Sequence, residues 1–114
     1  MIAAMGSAVT SPIHTIRLRG AWEVNPDAVK TAHSRNFGWP KPLEASEELW
    51  LVCANVPGSV TVTLNDSCIA TSSVAGPFAQ NISQHVLIRN KVQFVVESAD
   101  ALGEVTLEVR QKVS

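Results

Sequence analysis

An all-β sandwich is the fold that this sequence predicts, and three observations predict it. Short apolar stretches recur with a period of two. Turn-forming residues separate them at close intervals, and no long amphipathic helical stripe interrupts them. Seven or eight strands of this kind, joined by hairpins with a Greek-key or jelly-roll return, make a two-sheet β-sandwich.

Each element follows in order. From His14 to Val24, residues Ile16, Leu18, Gly20, Trp22 and Val24 fall on one side, and Arg17, Arg19 and Glu23 on the other. That alternation predicts one half-buried strand, interrupted at Pro26. Residues 25–46 carry Pro26, Gly38, Pro40 and Pro42 and are the least regular part; an edge strand is expected at His33 to Phe37. Glu48 to Ala54 is apolar on both faces and predicts a buried central strand, closed by Pro57 and Gly58.

Val60, Val62 and Leu64 point inward from the next strand, with Thr61 and Thr63 outward. Asn65 and Asp66 both tolerate positive φ, so they form the turn of a hairpin that returns through Cys68 to Thr71. After a loop at Ser72 to Gly76, a strand is expected at Pro77 to Ile82 and a helical turn at Ser83 to Leu87. Val92, Phe94 and Val96 alternate with Gln93, Val95 and Glu97. Gly103 marks a turn before the last alternating run, Val105, Leu107 and Val109.

A chain of 114 residues suits one domain. Residues 1–12 are expected to be a flexible tail and residues 13–114 the sandwich. Folding at this size hides about 66% of the chain's surface, enough for a core without metal or disulfide staples. The apolar fraction is 46% and the charged fraction 17%, a globular balance.

Nine basic and ten acidic side chains leave a net charge of −1, with the basic residues scattered. Arg17 and Arg19 are their closest grouping, which argues against nucleic acid or an anionic membrane as partner. No apolar stretch approaches membrane-spanning length and the start of the sequence lacks a positively charged leader, so a cytoplasmic location is expected. Cys53 and Cys68 are then expected as free thiols, although neighbouring strands would permit a disulfide. The triplets beginning at Asn65 and Asn81 match a glycosylation pattern by coincidence in such a compartment.

Catalytic signals are sparse. His14, His33 and His85 are far apart, and no nucleophile motif accompanies them. Cys53 lies in an apolar strand, where its thiol stays protonated. No ligand spacing for a metal is present, and Glu47 and Glu48 would face opposite sides of a strand. Neither an enzyme activity nor a cofactor is expected. Trp22 and Trp50 are expected in the core. Trp39 sits in the irregular segment Phe37 to Pro42, where it either plugs one end of the sandwich or offers a ring for a ligand to stack on.

From His33 onward the order of residues resembles the N-terminal jelly-roll of family 2 glycoside hydrolases, a sugar-binding domain of the galactose-binding-like group. The resemblance is carried by Arg35-Asn-Phe37, Leu49-Trp-Leu-Val52, Val60-Thr-Val-Thr-Leu-Asn65, Gly76-Pro-Phe78 through Asn81-Ile-Ser83, and Asn90-Lys-Val92. Ile16-Arg-Leu-Arg-Gly-Ala-Trp22 matches the opening strand, so the pieces span most of residues 14 to 110. Asp66 stands where the family's hairpin usually has glycine, and Asn81 where it often has aspartate. The family's catalytic carboxylates belong to a separate barrel domain, so the resemblance implies a module without catalytic residues.

The resulting expectation is a non-catalytic binding or interaction module with carbohydrate as candidate ligand. His33, Arg35 and Trp39 are the candidate binding residues at a loop-end cleft. The alternative is a structural domain that pairs with itself or another protein chain through a sheet face, suggested by the outward apolar Val95.

Overall fold

The computed structural model describes residues 13–112, so the tail predicted for residues 1–12 lies outside it. Nine strands run in chain order: β1 (His14–Arg17), β2 (Glu23–Pro26), β3 (Thr31–Gly38), β4 (Glu47–Val56), β5 (Val60–Leu64), β6 (Ser67–Ser72), β7 (Gly76–Asn81), β8 (Arg89–Val96) and β9 (Val105–Gln111). They form two antiparallel sheets, ordered β1-β9-β4-β7 and β2-β3-β8-β5-β6. This is the all-β jelly-roll sandwich that the alternation predicts. No helix of the described residues is long and apolar enough to cross a membrane.

The interior is one layer of side chains contributed by alternate positions of both sheets. Leu49, Leu51 and Cys53 of β4 meet Leu107 and Val109 of β9 on one side. Val60, Val62 and Leu64 of β5 meet Val92, Phe94 and Val96 of β8 on the other. Phe94 is the largest fully buried side chain, with Phe78 edge-on at 5.8 Å between ring centroids. The alternation read for β5, β8 and β9 is therefore the burial pattern observed.

Three expectations are corrected. The single strand expected from His14 to Val24 is two strands in different sheets, because Gly20 (φ 66°) and Ala21 (φ 56°) take left-handed conformations that turn the chain across the edge of the sandwich. The strand expected at the edge around His33 to Phe37 is longer and interior, since β2 pairs with one side of it and β8 with the other. Trp50 is not a core residue. It shares its face with Glu48 and Val52, outside the sandwich, where Arg110 lies 4.4 Å from its ring centroid and its Nε1 donates to Glu48 Oε1 at 3.1 Å. Glu108 accepts from Arg110 at 2.7 Å, so a half-buried polar network covers the tryptophan.

Asn65 and Asp66 both have positive φ, as the hairpin turn requires. Asn65 also joins a clamp. Its Oδ1 accepts from Lys91 N at 2.8 Å, and its Nδ2 donates to Asn90 Oδ1 at 3.0 Å. Buried Asn90 accepts from Leu87 N and donates to Leu87 O, each at 2.7 Å, and its Nδ2 reaches Phe37 O at 3.4 Å. One side chain thus joins the β5–β6 turn, the helical turn after β7 and the end of β3. Asn90→Ala strands the Leu87 amide and carbonyl and is expected to cost about 2–4 kcal/mol, read as a lower urea midpoint at unchanged m.

Candidate functional site

The segment that crosses between the sheets creates the site. Leu18 leaves β1 and turns into the interior, with its amide bonded to Val105 O at 2.9 Å. The left-handed pair Gly20–Ala21 then reverses the chain, and Trp22 folds back over Phe94, ring centroids 6.3 Å apart. Trp22 Nε1 donates to Leu18 O at 2.8 Å, which fixes the ring.

Arg35 of β3 holds this crossover. Its Nε donates to Gly20 O at 2.9 Å, Nη2 to Arg19 O at 3.2 Å and Nη1 to Asn36 O at 3.0 Å. The planar fork suits two adjacent carbonyls, which a lysine could not span in the same way.

Below the crossover lies a cleft of about 500 Å³. Trp22 and Leu18 form one wall, Val24, Thr31 and His33 the floor, and the loop of residues 99–104 the opposite wall. Thr31 Oγ1 donates to Ser98 O at 2.8 Å and ties the floor to that loop. Arg19 and Glu104 pair across the rim at 3.3 Å, with Asp100 beside them. The volume and the mostly apolar lining with a few polar groups fit a small-molecule seat.

His33 is buried, and its Nε2 has no hydrogen-bond partner within the protein. Desolvation holds its pKa below the usual 6.5. Cys53 is also buried, which pushes its thiol pKa up. Cys68 is exposed on the other sheet, and both cysteines are free.

The residues singled out from sequence are dispersed. His33 lines the cleft, and Arg35 binds backbone carbonyls beside it. Trp39 lies six residues further along the chain, just past the end of β3, roughly 20 Å away for extended backbone. It is half-buried and packs against the core, as the plugging alternative described, and its Nε1 is buried without a partner. It lines a separate groove of about 370 Å³ with Ile16, Leu43, Glu44, Glu47 and Val109. Trp22, expected in the core, packs against its edge and forms the aromatic wall of the larger cleft. A Gly-Ala pair inside an alternating run was the available signal that the strand breaks there.

Fold and cleft together define a two-sheet β-sandwich module. Its architecture is shared with solved structures of larger glycosidases. A β-glucuronidase from Bifidobacterium dentium superposes with a TM-score of 0.73 at 10% identity, over 86% of this chain and 30% of that one. The β-D-glucuronidase of Dictyoglomus thermophilum gives 0.73 at 13% identity, over 88% of this chain and 28% of that one. A family 2 glycosyl hydrolase of Bacteroides cellulosilyticus gives 0.59 at 12% identity, over 71% of this chain and 12% of that one. The chain thus spans under a third of the length of each, and its fold is compatible with the N-terminal domain that the sequence resembles. The sequence matches no protein-family model and no curated protein.

Two outcomes follow from this geometry. Arg35→Ala should lower stability by about 1–2 kcal/mol and shift the Trp22 indole resonance, because the crossover loses its strut. Arg35→Lys should recover little of it. The second outcome concerns pH. His33 has a lower pKa folded than unfolded, so below about pH 6.5 the unfolded chain binds more protons and stability falls with pH. The contribution is fully present above the unfolded pKa and is lost as pH falls toward the folded one. Denaturation midpoints should drop as pH falls below about 6.5, and His33→Leu should remove that part of the slope.

Proposed function

We propose that this chain is a non-catalytic binding module that seats a carbohydrate in the cleft beneath Trp22. The cleft itself carries the reading: an indole wall, a floor containing a buried His33 with an unpartnered Nε2, and a charged rim of Arg19, Asp100 and Glu104. A sugar ring has one apolar face and a belt of hydroxyls. The indole suits the first, and the rim charges and imidazole suit the second. The likeness to glycosidase domains favours carbohydrate over other amphipathic small molecules, and it places uronic acids among the sugars to try first.

The three tryptophans give three indole N–H resonances, so a titration reads the site directly. With neutral mono- and oligosaccharides and glucuronic acid in turn, the Trp22 indole and the amides of residues 99–104 should shift together and saturate. Asp100→Ala, on the exposed rim, should weaken binding about tenfold while leaving the thermal melt unchanged. A shift confined to the Trp39 indole would move the ligand seat to the other groove. No shift with any sugar would dismiss carbohydrate as the ligand.

A further inference from the structure

A second feature, at the Trp39 end of the molecule, is independent of the cleft. Leu87 and Ile88 are consecutive residues that are 60% and 70% exposed. They are rigidly presented. Asn90 clamps Leu87 through both its amide and its carbonyl, and Ile88 O accepts from Trp39 N at 2.8 Å. Arg89 and Lys91 follow directly and are exposed. The result is an aliphatic knob with a basic flank, already ordered, so that seating it elsewhere costs little conformational entropy.

Trp39, whose amide donates to Ile88 O, also lines the groove already described. Its apolar lining is Ile16, Trp39, Leu43 and Val109, and Glu44 and Glu47 stand on its rim. Ile16 is 43% exposed although it pairs with buried Leu107, because nothing among the described residues closes the interior over β1 at that point. Lys41 offsets one of the two carboxylates, so the rim carries a net negative charge.

Knob and groove are therefore complementary in both apolar character and charge, and Trp39 touches both. A surface that carries both halves of a contact side by side can pair with itself about a two-fold axis, each knob entering the partner's groove.

We propose that two copies of this chain associate in this way, with Leu87 and Ile88 of each in the Ile16–Trp39–Leu43 groove of the other and Arg89 facing Glu44. The contact is closed and isologous, so assembly stops at the dimer. Apolar centre and charged rim are the arrangement expected of a specific interface.

Sedimentation equilibrium of the full chain, from about 1 μM to 1 mM, tests this. The expected result is a monomer–dimer equilibrium with no larger species. Leu87→Asp and Ile88→Asp lie at exposed positions and should each raise the dimer Kd about 30-fold or more without altering the thermal melt. Glu44→Lys alone and Arg89→Glu alone should each weaken the dimer about tenfold, and the pair combined should restore most of the loss. A monomer throughout that range overturns the proposal and leaves the knob for a partner of different chemistry. A dimer insensitive to the Leu87 and Ile88 changes overturns it equally, because its interface is then elsewhere.

Discussion

Two residues with positive φ and one guanidinium set the shape of the N-terminal third of this sandwich. Gly20 and Ala21 turn the chain from the four-stranded sheet to the five-stranded one, and Arg35 bonds to the consecutive carbonyls of Arg19 and Gly20 where that turn begins. Alanine is disfavoured at φ 56°, by about 1 kcal/mol or more relative to glycine, so the turn persists only because surrounding contacts over-determine it. Those contacts are the Arg35 fork, the Trp22–Leu18 bond and the burial of Leu18. With the turn in place, β1 adds an edge to one sheet and β2 an edge to the other. The same turn lifts Trp22 above His33 and opens the cleft. Architecture and candidate site are thus consequences of one local constraint.

Much of the fold was legible because period-two alternation has one physical cause, burial of one face, and in β5, β8 and β9 nothing competes with that cause. The hairpin at Asn65–Asp66 was legible for a similar reason, since few residue pairs accept two successive positive φ values. The misreadings occur where a second cause acts. The alternation of Ile16, Leu18, Gly20, Trp22 and Val24 continues through the Gly20–Ala21 turn by coincidence, so periodicity alone could not reveal the break. Trp50 has an apolar ring, but it sits one position out of phase with Leu49 and Leu51. The phase of β4, apolar on both faces, was the one piece of information the sequence withheld. The site was less legible still. His33 and Arg35 are two residues apart in β3, yet His33 lines the cleft while Arg35 is spent on the carbonyls of Arg19 and Gly20 at its edge, and only tertiary pairing decides such a division.

The motifs that resemble the glycosidase module divide in an instructive way. Arg35 braces a turn, Asn65 and Asn90 form a clamp, and Asn81 Oδ1 accepts from Ser83 N at 2.9 Å to start the helical turn. Every one of these side chains satisfies backbone groups that the jelly-roll leaves unpaired where a strand ends. Asparagine at position 81 performs that task with its carbonyl oxygen as aspartate would with a carboxylate. In this chain, therefore, the motifs that carry the resemblance close strand ends, and they are informative about fold for that reason. Among the described residues, the buried side-chain groups with unmet polar capacity lie outside these motif tasks: His33 Nε2 in the cleft floor and Trp39 Nε1 at the groove.

That division bears on where binding can evolve in such a domain. A buried donor or acceptor without a partner is costly, on the order of 1–3 kcal/mol, and the fold tolerates it only with stability in reserve. Clamps such as Asn90 supply that reserve by pairing four polar groups through one side chain. The two unmet groups stand at opposite ends of β3, each beside an opening between the sheets. The strand between them is paired along both edges and cannot shift register without burying Arg35 or exposing Phe37. A strand paired along both edges, with an opening at each end, leaves room for the two proposed contacts on one small module, a small ligand at one end and a second copy of the chain at the other. Because β3 is paired along both edges between the two ends, occupation of either end need not disturb the other, and the two contacts should be energetically independent.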